Sequence, residues 1–347
     1  MSIENPNPTP QPALSLQQIQ QHCDDLLALP DTEGLFIIKP ASRWIADAGN
    51  RPKQKMLFAT FWFEGELCIL FADTNQGKSI LAVQLGDSIS RGAEVPGFVL
   101  QTEAQPVLYF DFELNDQQFQ NRYSVNNEQA YPFHPNFLRI ELNPTAIPPK
   151  GMTYEDYLCA SLERAVTDNN AKVLIIDNLT YLRAETEQAK DALPLMKELK
   201  ALKIKYDLSI LVLAHTPKRD MSKPITRNDL SGSKMLINFC DSAFAIGESF
   251  KDKNLRYIKQ IKQRNTEQMY GGDNVVVCQV IKPHNFLQFE IVTFSDEREH
   301  LKEATEKDYT ELKKQIAEMK SKGNSLREIG HKLGISHTMV RKITLHD

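Results

Sequence analysis

One loop between a strand and a helix constrains this chain more than any other stretch. From Ile69 to Gly86 the sequence reads ILFADTNQGKSILAVQLG. Its central part, ADTNQGKS, matches the pattern G-x-x-x-x-G-K-[ST] at every fixed position except the first. An apolar run precedes it and a helical pattern follows it, which is the context that the pattern requires. The sequence therefore predicts a phosphate-binding loop at the carboxyl end of a buried strand.

The residues of this loop have distinct predicted roles. Backbone N–H groups and the amino end of the next helix would hold phosphates, Lys78 would neutralise phosphate oxygens, and Ser79 would ligate Mg²⁺. Ala72 stands where the pattern has glycine, and alanine would cost about 1–2 kcal/mol if that position needed a left-handed backbone. The alternative is an ordinary helix start at GKS. The predicted nucleotide-binding residues are Ala72, Asp73, Thr74, Asn75, Gln76, Gly77, Lys78 and Ser79.

Apolar, β-rich runs alternate with helical patterns from Leu67 to about Phe294. Strands that are apolar on both faces and separated by helices are typical of a mostly parallel sheet covered on both sides. We therefore predict an α/β fold for this part of the chain.

Three of the predicted strands end in residues with useful chemistry. KVLIIDN places Asp177 where its carboxylate can hold Mg²⁺ beside Ser79. PVLYFDFEL offers Glu113 or Asp111 as the base that activates water. SILVLAHT ends in His215, which would sense the terminal phosphate. Isolated acids at strand ends are often helix caps or surface residues, and a histidine–threonine pair can also be a cap.

A long polar segment follows His215 and carries several basic residues. A connection of this length usually binds a ligand or is mobile. We expect it to contact a nucleic-acid backbone, with a merely solvated loop as the alternative. The basic residues are Lys218, Arg219, Lys223, Arg227 and Lys234.

The last part of the chain, from Asp308 to Ile343, has the spacing of a helix-turn-helix. Ser325 and Ser336 would cap two helices, and Gly334 would make the turn between them. This stretch resembles the helix-turn-helix modules of resolvases and sigma-like regulators, whose second helix enters the major groove of duplex DNA. The alternative is a helical hairpin that docks protein or is purely structural. The resemblance implies His337, Thr338, Arg341 and Lys342 facing DNA, with Lys320, Lys322 and Lys332 near phosphates.

The order of these motifs resembles the RecA-like ATPases of the hexameric helicase group. LYFDFEL and AHTPK are similar to strands of RepA-type plasmid replication helicases, and KQRN, residues 262–265, is similar to a motif of DnaB-type replicative helicases. The resemblance implies a RecA-like core that uses ATP and Mg²⁺, with Glu113 rather than Asp111 as catalytic base and His215 as phosphate sensor. It also implies that Lys262 and Arg264 enter the neighbouring subunit's site, within a hexameric ring that holds single-stranded DNA. The alternative for KQR is a solvated strand end.

Length and composition set limits on these interpretations. The chain has 347 residues, 41% of them hydrophobic, and a formal net charge of −4, so DNA contacts would come from local basic patches. Five cysteines without a CxxC pair favour a reducing cytoplasm. No apolar run is long enough to cross a membrane, so we expect no membrane partner.

We predict five segments along the chain. They are a disordered tail (1–14), a helical or extended segment (15–59), a RecA-like ATPase domain (60–295), a linker (296–307) and an all-α helix-turn-helix domain (308–347). The first functional hypothesis is a RepA-like helicase of plasmid or mobile-element replication. The second is a RecA-like ATP switch that regulates or partitions DNA without unwinding it, and the third is a protein that binds nucleotide without turnover.

Overall fold

The structure, a computed structural model, describes residues 36–178, 192–230, 233–303, 306–333, 335 and 337–345. The predicted tail, the helical pattern before residue 30, Gly334 and Ser336 lie outside this part of the chain. Contacts divide the chain into two compact units, 1–54 and 55–347. In the first unit, helix α1 (Ala41–Gly49) buries none of its residues.

The second unit contains the strands and the remaining described helices. The strands are β1 (Met56–Phe58), β2 (Trp62–Phe63), β3 (Leu67–Ala72), β4 (Val107–Asp111), β5 (Ser124–Val125), β6 (Gln129–Ala130), β7 (Phe137–Ile140), β8 (Val173–Asp177), β9 (Ser209–His215), β10 (Ser242–Glu248), β11 (Leu255–Lys262), β12 (Val275–Ile281) and β13 (Gln288–Ser295). The helices are α2 (Lys78–Arg91), α3 (Asp116–Arg122), α4 (Tyr154–Asp168), α5 (Ala192–Tyr206), α6 (Ser233–Phe239), α7 (Glu306–Ser321), α8 (Leu326–Leu333) and α9 (His337–Leu345).

Nine strands form one sheet in the order β13-β12-β11-β10-β3-β9-β8-β4-β7. All neighbours from β10 to β7 are parallel, which confirms the predicted α/β fold with a mostly parallel sheet. The strands from β10 to β13 pair antiparallel. Their connections contain no described helix, and two of them, residues 249–254 and 282–287, are too short for the crossover that a parallel pair requires.

The sheet is covered on both faces. Alternate residues of β3 point to opposite sides: Leu67, Ile69 and Phe71 pack with α4, α5 and α6, whereas Cys68 and Leu70 pack with α2. Every residue of β3 is buried, because this strand lies near the middle of the sheet. Such burial places the end of β3 rigidly beside the ends of its parallel neighbours.

Two smaller parts complete this unit. Strands β1 and β2 form a hairpin that spans the predicted boundary after residue 59. Helices α7, α8 and α9 share a small core of four buried residues, Ile316, Ile329, Val340 and Ile343. In the part of the chain that the structure describes, no helix combines the length and apolar character needed to cross a membrane.

Candidate nucleotide site

The predicted phosphate loop joins the buried end of β3 to the start of α2. Gly77 precedes the helix with a φ of +92°, and a Cβ added there would lie 2.9 Å from the ring of Phe289. Glycine is required at this position because it tolerates both the left-handed backbone and the close ring. No side chain caps α2, so N–H groups of its first turn are left for another acceptor. An anion is the natural partner of such a helix start.

Ala72 is the last residue of β3 and has ordinary extended backbone. It is fully buried, and it pairs with His215 of β9 and Ile246 of β10. Its φ is not among the positive values of the described residues. Alanine at this position therefore carries none of the free-energy cost of a left-handed backbone, because the backbone here is extended.

Lys78 extends back over the loop and reaches β9. Its Nζ donates to the carbonyls of Ala72 and Asp73, each at 3.1 Å, and lies 3.2 Å from Nδ1 of His215. An ammonium can only donate, so Nδ1 of His215 is the acceptor in this contact and Nε2 is the ring nitrogen that can donate. Burial lowers the pKa of Lys78, while nearby Asp177, Glu113 and Asp73 oppose this shift. The structure thus places a cation at the mouth of the loop.

Asp177 ends β8 and is almost completely buried, with 1% of its surface exposed. Burial raises its pKa to about 6, although the hydroxyls of Ser79 and Tyr109 favour the ionised form. Tyr109 donates to Oδ2 at 2.8 Å, whereas Oδ1 has no hydrogen-bond partner at ordinary distance. A buried carboxylate oxygen without a partner is costly unless something binds it.

Glu113, Asn178 and His215 form a cluster beside Lys78. The amide of Asn178 donates to Oε1 of Glu113 and lies 3.0 Å from Nε2 of His215. His215 Nε2 is 3.4 Å from the same Glu113 oxygen. The hydrogen bond from His215 is the main reason that the pKa of Glu113 is lowered. Glu113 is therefore held ionised and half-exposed, as a residue that orients and deprotonates water should be.

Asp111, the alternative base, is committed to structure. Its side chain is buried, and Oδ1 accepts the backbone N–H groups of Glu113 at 3.2 Å and Leu114 at 3.0 Å. Arg139 of β7 donates to its other oxygen at 2.8 Å. These contacts leave Asp111 no access to a substrate and make it the support of the segment that carries Glu113.

The polar groups around the loop fit ATP and Mg²⁺. Besides Asp177 Oδ1, two buried side-chain oxygens of the described residues lack partners here, Oε1 of Gln76 and Oγ1 of Thr216. Mg²⁺ prefers oxygen ligands, so Ser79 and Asp177 would hold it. When bound, the ion would neutralise phosphate charge. Lys78 and the start of α2 would bind the phosphates, and Glu113 would orient the attacking water and accept its proton.

Lys262 and Arg264 lie away from this site, toward the opposite ends of the strands. Strand β11 runs antiparallel to β10, and Arg264 contacts Asp241, whose carboxylate accepts the backbone N–H of Leu67 at the start of β3. With about 3.3 Å per residue, Arg264 is separated from the end of β3 by about 17 Å along the strand. The structure therefore does not bring these two predicted residues to their own chain's loop.

The basic segment after His215 is held against the rest of the unit by several contacts. Arg219 donates to the carbonyl of Lys223 at 2.9 Å, and Lys223 donates to the carbonyl of Leu333 at 2.9 Å. The backbone N–H of Ile225 binds the buried carboxylate of Glu297 at 2.7 Å. Lys218 and Arg227 are exposed, and the side chain of Lys234 lies outside the described part.

The carboxyl-terminal helices place the predicted DNA-facing residues on the surface. On α9, Val340 and Ile343 are buried, and the side chains between and before them are exposed. Ser325 and the Glu328 side chain bond each other's backbone N–H groups, at 3.3 Å and 2.7 Å, which confirms Ser325 as the cap of α8. The exposed residues are His337, Thr338, Arg341 and Lys342 on α9, and Lys320, Lys322 and Lys332 before it.

Three residues of the site were not predicted from the sequence. Asn178 directly follows Asp177, and Tyr109 lies within the LYFDFEL stretch, so a closer consideration of these two motifs could have included them. Arg139 lies on a separate strand with no motif of its own, and its role becomes evident only in the fold.

One comparison with known proteins, a family model, agrees with this geometry. A family model described as "AAA domain" matches residues 38–221, which include the loop, Glu113, Asp177 and His215. A solved structure of a KaiC-like protein from the archaeon Pyrococcus horikoshii shares 16% identity, covers 66% of this chain and 91% of its own, and has a TM-score of 0.43. That score is too low to add to the topology described above. No curated protein matches. Because the family model covers more than half of the chain, including the phosphate loop, the chain belongs to the AAA domain family.

Proposed function

We propose that this chain is a subunit of a ring-shaped, ATP-driven DNA motor, a RepA-like helicase of plasmid or mobile-element replication. Its ATPase core would hydrolyse ATP with Mg²⁺, Lys78 and Glu113. A hexamer would hold single-stranded DNA in its centre, and the helices α8 and α9 would act as a helix-turn-helix on duplex DNA.

The position of Arg264 is the single observation that carries this proposal. Its side chain is 53% exposed and lies at the ends of the strands that are farthest from its own phosphate loop. An arginine so placed can reach a phosphoryl group only on another subunit. Head-to-tail contacts that supply a residue in this way form a ring when the rotation between successive subunits closes. Such an arginine increases the rate of phosphoryl transfer by about 10³ to 10⁵ in GTPases.

The exposed basic residues support the DNA part of the proposal. Lys218 and Arg227 follow the strand that ends in the predicted phosphate sensor His215. Hydrolysis of the terminal phosphate could therefore move His215 and, through the segment that follows it, the basic side chains that can bind phosphates of single-stranded DNA. Four exposed polar or basic side chains of α9 would contact the major groove.

A second candidate is an ATP-dependent switch that regulates or partitions DNA without unwinding it. The exposed face of α9 favours it, since a duplex-binding helix suits a protein that stays at one DNA site. Both candidates require ATP turnover, so the nature of the stimulating DNA separates them.

The experiment is steady-state ATP hydrolysis with no DNA, with single-stranded DNA and with duplex DNA. We expect stimulation by single-stranded DNA that is abolished in Glu113→Gln and Arg264→Ala. A strand-displacement assay with the same preparations then tests unwinding. Stimulation by duplex DNA alone would support the switch, and an absence of hydrolysis under all three conditions would refute both candidates.

A further inference from the structure

Three of the four side chains of the KQRN segment, residues 262–265, form hydrogen bonds of 2.8 Å or shorter within their own subunit. Lys262 donates to the carbonyls of Ile237 (2.5 Å) and Cys240 (2.6 Å), Gln263 to the carbonyl of Thr60 (2.7 Å), and Asn265 to the carboxylate of Glu66 (2.8 Å). Arg264 differs, because it is more than half exposed and has one longer contact of 3.3 Å with Asp241. The segment is thus fixed on both sides of Arg264 while the guanidinium itself stays accessible.

Glu66 is the acceptor for the last of these contacts, and it is fixed within the core. It directly precedes β3 and has 2% of its surface exposed. Oε2 accepts the hydroxyl of Ser242 at 2.7 Å and the backbone N–H of Phe63 at 3.0 Å, and Oε1 accepts Asn265. Burial raises its pKa, so these donors are what keep a carboxylate in this position. Its orientation leaves one oxygen facing the KQRN segment.

We propose that Glu66 and Asn265 are positioning residues for Arg264. The hydrogen bond between them fixes the backbone directly after Arg264. The guanidinium therefore points away from its own phosphate loop and toward the phosphate loop of a neighbouring subunit. Glu66 contacts no substrate and acts only through Asn265. This inference rests on the proposed function, because the positioning matters only if Arg264 serves a neighbour's site.

The matched variants are Asn265→Ala and Asn274→Ala. Asn265 is exposed, so its truncation opens no cavity in the core, but it removes one donor to the buried Glu66 carboxylate. We expect kcat to fall by about 10- to 100-fold with the KM for ATP changed less than about twofold, because a misplaced group loses its effect in the transition state. Asn274 donates a similar bond of 2.9 Å, to the carbonyl of Met269, and its loss should leave kcat unchanged.

Mixing with Glu113→Gln subunits separates positioning from a general structural defect. A Glu113→Gln subunit lacks its own base but keeps an intact KQRN segment. It should therefore restore hydrolysis at the sites of Asn265→Ala subunits, as it should for Arg264→Ala subunits. Mixing Asn265→Ala with Arg264→Ala should restore nothing beyond the activity of Asn265→Ala alone, since neither supplies a positioned arginine.

Two results would overturn the positioning role alone. One is a native kcat for Asn265→Ala, and the other is rescue of Arg264→Ala but not of Asn265→Ala by Glu113→Gln subunits. Full activity of Arg264→Ala on its own would instead refute the shared site, and the proposed function with it.

Discussion

Restoring the glycine that the phosphate-loop pattern lacks, by Ala72→Gly, should not improve ATP binding. Ala72 is strand backbone, and its carbonyl, which accepts Lys78 Nζ at 3.1 Å, is kept in the variant. The phosphate-binding groups lie in the residues after it. We therefore expect the Kd for ATP to change by less than about twofold, or about 0.4 kcal/mol.

The same substitution should lower the stability of the fold. The Ala72 methyl is completely buried in the core beside α2, and burying one such group stabilises by about 0.8 kcal/mol. Glycine within a strand costs about 0.5–1 kcal/mol more in backbone entropy. Ala72→Gly should therefore reduce the free energy of unfolding by about 1.5 kcal/mol.

The matched variant is Gly77→Ala, at the glycine that the loop does require. Its φ is +92°, and the new Cβ would lie 2.9 Å from the Phe289 ring. This change should weaken ATP binding at least about tenfold. Calorimetric ATP titrations and denaturant unfolding of both variants test the reasoning. A tenfold gain in ATP affinity for Ala72→Gly would refute the argument that this position is unstrained.

The other predictions concern Asp177, the two acids of β4 and the carboxyl-terminal core. Because the pKa of Asp177 is raised to about 6 by burial, the folded chain binds its proton more tightly than the unfolded chain, and stability falls as pH rises from 4 to 7. In denaturant unfolding without Mg²⁺, the free energy of unfolding of Asp177→Asn relative to that of the native chain should increase by up to about 3 kcal/mol from pH 4 to pH 7. The same difference between the two proteins at pH 4 and at pH 7 would contradict this. Glu113→Gln should lose at least about 100-fold in kcat while keeping its melting temperature, whereas Asp111→Asn should lower the melting temperature as well. If instead Asp111→Asn lost kcat alone and Glu113→Gln lowered the melting temperature, Asp111 would be the base. Ile329→Ala should destabilise the three carboxyl-terminal helices by about 2–5 kcal/mol, seen as loss of amide-exchange protection there, with basal ATPase activity unchanged.

The sequence predicts those parts of the site that depend on local patterns. The loop, Asp177 and His215 follow from a motif and from apolar runs, because a buried strand fixes where its last residue lies. The choice of Glu113 over Asp111 needed more than the sequence spacing. It depends on Arg139, which reaches Asp111 from β7 and whose position is determined by strand order.

The KQRN segment shows the same limit. The sequence presents Lys262 and Arg264 as equivalent cations, but folding binds Lys262 to two carbonyls and leaves Arg264 exposed. This difference arises from residues far apart in the chain, so periodicity and spacing cannot reveal it. Contacts of that kind are set by tertiary packing alone.

The central claim is that each ATP site is completed by Arg264 of another subunit. The most direct measurement is ATPase activity in mixtures of Arg264→Ala and Glu113→Gln subunits across all mole fractions. Each variant alone should be inactive, and activity should rise to about one quarter of the native value at equal amounts, since one random head-to-tail pairing in four joins an intact base to an intact arginine. Inactivity at every mole fraction, in mixtures shown to form mixed oligomers, would contradict the shared site.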